Sequence, residues 1–113
     1  MHIKEIALEL DKHPAGTFLN LVQFNDHHLG ACQITGTSPV WEMHPDTDEL
    51  FWIIAGEFEI TLRLPEGEEH HTVRAGSCFV VPKGIWHKPA APKGSTFAYL
   101  TPGQTLHSDN PSV

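Results

Sequence analysis

From Glu57 to Leu64 apolar and polar residues alternate without a break, with Phe58, Ile60, Leu62 and Leu64 set against Glu57, Glu59, Thr61 and Arg63. A period of two is that of a β-strand with one face on a core and the other in water. The same alternation puts Glu42 and His44 on one face of a short strand and Trp41 and Met43 on the other. Leu50 to Ala55 is apolar throughout and closes at Gly56. It is too short for most helices and reads as a strand buried on both faces. Phe18–Phe24, Gly30–Thr35, Glu69–Arg74 and Ser95–Thr101 read as further strands, the last with Phe97 and Tyr99 on one face. Turn chemistry separates these runs at Asn25-Asp26, Gly36-Thr37-Ser38-Pro39, Pro45-Asp46-Thr47-Asp48, Pro65-Glu66-Gly67-Glu68 and Ala75-Gly76.

The ends are less regular. Ile3, Ile6 and Leu10 fit a helical stripe, whereas Ile6, Leu8 and Leu10 fit a strand. A short N-terminal helix or turn is the favoured reading. Lys88 to Gly94 reads as a loop, and Pro102 to Val113 as a loose tail unless a partner orders it. The expected organisation is an N-terminal segment (1–17), a β-domain (18–101) and a C-terminal tail (102–113). About nine short strands with no helix long enough for crossover units predict an all-β antiparallel sandwich or barrel, and within that class the double-sheet jelly roll.

Composition narrows the partners. A chain of 113 residues with 40% hydrophobic content is expected to form one domain with a real core. A formal charge of −7 and only seven dispersed Lys and Arg residues argue against nucleic acid or an anionic membrane surface. No apolar run approaches the ~20 residues that span a bilayer. The opening stretch carries Glu5 and Glu9 and lacks a long apolar core, so it is not read as a signal peptide. A cytoplasmic address is expected, with Cys32 and Cys78 as buried free thiols rather than a disulfide.

Glu49 opens the apolar run directly after the 45–48 turn, so Glu42, His44 and Glu49 gather at the lip of one hairpin. Further on, Gly76-Ser77-Cys78-Phe79-Val80-Val81 meets a Pro82-Lys83-Gly84 turn that is followed by His87. Imidazole nitrogen and carboxylate oxygen are good ligands for divalent first-row metals. His27 and His28 are neighbours on opposite faces of a strand, and His70 and His71 lie in a polar hairpin, so none of these four is expected to ligate.

Together the two stretches resemble the two signature motifs of the cupin superfamily. Gly36, His44, Glu49 and Gly56 fit the first motif, and Gly76, Pro82, Gly84 and His87 fit the second. Two positions depart: Glu42 stands for the first histidine of H-x-H, and Ala91 for the closing asparagine. The run W-x-x-H-x-D-T-D-E-L-F looks most like small cupins of the mannose-6-phosphate isomerase-like group, over roughly residues 18–101. The resemblance implies a double-stranded β-helix, the cupin jelly-roll barrel. It implies a divalent metal (Mn, Fe, Zn or Ni) held by His44, Glu49 and His87, with Glu42 matching the fourth position by place only. It also implies a homodimer.

Glu42 then has three readings: a ligand, a general base beside the metal, or the mark of a site that has lost its metal. Without a cation, Glu42 and Glu49 would sit close together and one is expected to take up a proton. A small, partly apolar ligand is expected inside the barrel, against Phe51, Ile53, Ala55, Phe79 and Val81. Three functions compete. The first is a metal-dependent enzyme such as a dioxygenase or isomerase. The second is a non-catalytic sensor or storage module. The third is a metal-free, epimerase-like protein using His44 with Tyr99. A sugar phosphate is disfavoured, because the two arginines, Arg63 and Arg74, fall away from the motif lips.

Overall fold

A computed structural model describes residues 1–113. One short helix, α1 (Ile6–Asp11), precedes eight strands: β1 (Leu19–Phe24), β2 (His27–Thr37), β3 (Trp41–Met43), β4 (Glu49–Leu64), β5 (Gly67–Arg74), β6 (Cys78–Val81), β7 (Trp86–Leu100) and β8 (Leu106–Ser108). Every pairing is antiparallel, in the path β1-β2-β7-β3-β8, with β4 joining β5, β6 and β7. The sheet curls on itself into the expected jelly-roll barrel. The helix at residues 6–11 resolves the ambiguous N-terminal pattern, and only Leu10 of it is buried.

Two strands are far longer than their sequence patterns imply. β4 and β7 pair along nearly their whole lengths, with register shifts at Ile53/Ala55 and Gly56/Glu59. Gly56 ends the apolar run without ending the strand. It adopts φ 75°, and a Cβ there would collide with the Gly94 carbonyl, so the strand bends where two backbones touch. Ile53 N–H donates to Ser77 O (2.9 Å) and Gly76 N–H to Ile53 O (2.7 Å), so the adjoining turn satisfies the bend's backbone groups. The expected loop at 88–94 is strand instead. Pro89 pairs opposite Ile60 and is buried, and the missing proline N–H leaves the flanking pairs intact.

The core is aromatic. Phe51, Phe58 and Phe97 meet with ring centres 5.0–5.6 Å apart, joined by Ile53, Ile60, Val81 and Cys32. Rings at these separations gain beyond their buried area. This packing corrects three expectations. The Leu50–Ala55 run is not buried on both faces, because Leu50 (38%) and Trp52 (50%) are exposed on the outer side. Cys78 is exposed beside Trp52, and only Cys32 is the buried thiol. Phe51 and Ile53 belong to the packed core and do not line the cavity that Glu42 borders.

The C-terminal tail is also ordered within the chain. β8 pairs with β3, and Pro111 is buried. Arg63 stacks on Trp41, 4.2 Å from the ring centre, and donates to Asn110 Oδ1 and the Pro111 carbonyl. An arginine expected to face water is thus a latch for the tail. Trp41 is covered from within the chain.

Candidate metal centre

The two motif turns are tied by backbone geometry. Gly84 N–H donates to the His44 carbonyl (2.9 Å), and Lys83 N–H to Asp48 Oδ1 (2.9 Å). These bonds fix the approach of β7 to β3 and place Glu42 directly opposite His87. Glu49 begins β4, and His44 follows β3. The structure therefore brings together all four residues singled out in the sequence. One donor atom from each of Glu42, His44, Glu49 and His87 lies within 4.8 Å of the others. His44, Glu49 and His87 are buried, while the Glu42 side chain keeps 17% exposure. His27, His28, His70 and His71 lie elsewhere.

Glu49 is the hub. Its Oε1 lies 3.0 Å from both His44 Nε2 and His87 Nε2, and its Oε2 accepts from Thr101 Oγ1. Glu42 Oε1 lies 3.2 Å from His87 Nε2. Each imidazole is also held at its far nitrogen. His87 Nδ1 faces the Ile85 carbonyl at 3.0 Å. His44 Nδ1 faces Thr105 Oγ1 at 3.1 Å and the Gln104 carbonyl at 3.4 Å. Such outer partners fix ring orientation and direct Nε2 towards the cluster.

The electrostatics follow from burial and pairing. Burial alone would lower the His87 pKa, but its hydrogen bonds to Glu42 and Glu49 outweigh that and raise it to about 9. His44 is opposed by burial in the same way, yet its bond to Glu49 carries it above the ordinary value. Burial would raise Glu49, but His44, His87 and Thr101 hold it at about 2. The expectation that a carboxylate takes up a proton does not hold for Glu49, whose imidazole and hydroxyl partners favour its ionised form.

The donor set fits a divalent cation. Two donors each ~2.1 Å from a metal and separated by 90–110° lie about 3.0–3.4 Å apart; the His44–Glu49, His87–Glu49 and Glu42–His87 pairs lie at 3.0–3.2 Å, and all four donor atoms within 4.8 Å. Two carboxylates and two neutral imidazoles also balance a charge of two. Tyr99 is not positioned as an acid for His44. Its hydroxyl donates to the Leu19 carbonyl (3.1 Å), and burial pushes its pKa up.

A curled antiparallel barrel with a His/Glu cluster at its motif turns defines a cupin. Residues 33–103 match the cupin domain family, and the chain belongs to it. It is 32% identical over 69 residues to the uncharacterized protein YdbB of Bacillus subtilis (strain 168), a match covering 61% of this chain and spanning 58% of that relative's length. A cupin-2 domain protein of Shewanella frigidimarina superposes with a TM-score of 0.72 at 28% identity, over 80% of this chain and 84% of that one. Hydroquinone 1,2-dioxygenase of Sphingomonas sp. TTNP3, solved with 4-hydroxybenzoate bound, shares the fold at TM-score 0.73 and 14% identity, over 88% of this chain and 74% of that one. No helix is long and apolar enough to cross a membrane.

Sequence reasoning missed the residues that steady the cluster: Thr101, Gln104, Thr105 and the Ile85 carbonyl. Two of them, Gln104 and Thr105, follow the last strand expected from the pattern, and Thr101 is its final residue. Only the short apolar-polar run Leu106-His107-Ser108 signalled that the chain pairs again.

Proposed function

We propose that this chain is a metal-dependent cupin in which Glu42, His44, Glu49 and His87 hold one divalent first-row metal and a small molecule reaches it inside the barrel. The convergence of two imidazole nitrogens and two carboxylate oxygens within 4.8 Å, three of the four residues buried, carries this reading. Manganese, iron, zinc and nickel all accept such mixed donors. A bound divalent cation supplies Lewis acidity to a ligand oxygen. The chain's own residues divide the remaining work. Glu49 positions both imidazoles, and Thr101 fixes its rotamer. Gln104 and Thr105 orient His44. Glu42, the most exposed of the four, sits where it meets an incoming molecule. The resemblance and the dioxygenase neighbour favour a dioxygenase or isomerase among possible reactions.

Elemental analysis of untagged protein, expressed with these metals supplied, tests the reading. Close to one equivalent per chain is expected in the wild type, with severe loss in His87→Ala. A wild-type content below about a tenth of an equivalent would defeat it.

One observation favours a second reading, a non-catalytic module that carries metal only some of the time. Glu49 Oε1 lies 3.0 Å from both Nε2 atoms, so hydrogen bonds among the side chains themselves hold the cluster together. A protein that binds metal reversibly but turns over no oxidisable or isomerisable small molecule would fit it.

A homodimer belongs to the same proposal. Leu50, Trp52 and Val80 (52% exposed) form a contiguous outer patch, with Leu50 paired to Val80 and Trp52 beside Cys78. Such a patch is what a second copy covers. Two free thiols support a reducing, cytoplasmic setting.

A further inference from the structure

A cavity of about 270 Å³ lies against the cluster, between the Ala15–Phe18 stretch, β2 and β3. Of the four metal-ligand candidates, only Glu42 lines it. Its walls combine apolar Phe18, Ile34 and Val40 with the hydroxyls of Thr35, Thr37 and Ser38. No lysine or arginine lines it, and Glu42 is its one carboxylate. His107 also borders it. Residue 42 is the register partner of both His87 on β7 and His107 on β8, so three strands carry a His–Glu–His row. Glu42 Oε1 faces His87, and the second carboxylate oxygen has no hydrogen-bond partner in the chain.

Charge decides what such a cavity accepts. Glu42 and Glu49 cancel a divalent cation, so a loaded centre has no net charge. A histidine at position 42, usual in the resembled group, would leave it at plus one. An anion entering here would meet the Glu42 carboxylate with no lysine or arginine to offset its lost hydration. An uncharged hydroxyl compound meets an acceptor, neighbouring hydroxyls and apolar walls. The volume sits just below the ~300–1,000 Å³ typical of small-molecule sites, which suits one ring.

We propose that this cavity binds an uncharged, single-ring-sized molecule carrying a hydroxyl group, and that Glu42 accepts from that hydroxyl and excludes anionic analogues. The inference deepens the metal reading and rests on it for the charge balance at the centre.

Phenol and benzoate, similar in size and different in charge, are the probes. Binding is measured by calorimetry and by amide shifts in ¹⁵N-labelled protein loaded with zinc, with metal content determined on the same samples. Phenol is expected to shift the amides of Thr35 to Thr37 and to bind at least about tenfold more tightly than benzoate, one unfavourable charge contact being worth that much near a protein surface. Glu42→Gln is expected to narrow the gap by a similar factor. Val40→Trp, which fills the cavity away from the donors, is expected to abolish phenol shifts while zinc is retained. Benzoate binding as tightly as phenol to zinc-replete protein overturns the proposal and leaves the metal reading standing. So does a phenol footprint elsewhere, or a preference unmoved in zinc-replete Glu42→Gln. A protein that fails to hold zinc yet keeps the phenol preference overturns the metal reading and supports the cavity's selectivity.

Discussion

Raising the pH on metal-free protein tests the cluster's electrostatics directly. The pKa of His87 is raised from 6.5 to about 9 by its carboxylate partners. A group whose pKa is higher in the folded state adds stability below its unfolded pKa and loses it as pH climbs through the folded one. The His87 contribution is therefore complete below pH 6.5 and is lost by about pH 9. At about 1.4 kcal/mol per decade of proton affinity, the loss is about 3 kcal/mol. That is a large share of a typical ~5–15 kcal/mol, and for a chain this size lowers Tm by on the order of 10 °C. His44 acts with the same sign. Glu49 acts with the opposite sign: its contribution is present above pH 4.5 and disappears as pH falls through about 2. Metal-free protein should thus be most stable between these limits, near pH 5 to 6. A metal takes the place of the imidazole protons, so loaded protein should keep its stability from pH 6.5 to 9. Metal uptake should release more protons at pH 6.5 than at pH 9. Urea titrations in chelator and in excess zinc at several pH values give the first quantity. Calorimetry in buffers of different ionisation enthalpy gives the second. A metal-free midpoint that stays level or rises from pH 6.5 to 9 would refute the assignment of protons to the imidazoles.

Four further outcomes are expected. Thr101→Val removes the donor to Glu49 and should weaken zinc affinity by about 10–100-fold, read by competition with a chromophoric chelator, while the fold persists. Gly30→Ala puts a methyl group into the Tyr99 ring and the Leu19 carbonyl and should cost about 1–3 kcal/mol in urea unfolding. Trp52→Glu should convert a dimer to a 12.6 kDa monomer in light scattering, with circular dichroism unchanged. A thiol reagent at pH 8 should label Cys78 at once and spare Cys32, which burial above all, with help from Glu42, pushes up to about 12.

Local alternation made the strands legible, because a two-residue period survives whatever packs on either face. Glu42, His44, Glu49 and His87 were legible because short turns with fixed chemistry present them. What alternation cannot show is which face of an apolar run meets a neighbour. Trp52 and Ile53 read alike, yet one faces water and the other the core. Nor does it reveal bends without breaks. Gly56 and Pro89 read as interruptions, but both lie inside strands whose partners continue past them. The tail was missed for a third reason. Its order comes from contacts with residues more than forty positions away, Arg63 on Asn110 and Pro111 above all, and no local pattern encodes them.

The short bond between the Gly84 amide and the His44 carbonyl has a practical meaning for anyone rebuilding this barrel. It makes the two bends a single clasp, so lengthening either one alone would slide one imidazole past its mate. The β4–β5 hairpin is tied differently, through Arg63, which reaches Glu68 across the turn and Asn110 and Pro111 of the tail. Grafting this centre onto another scaffold means moving both bends as one piece.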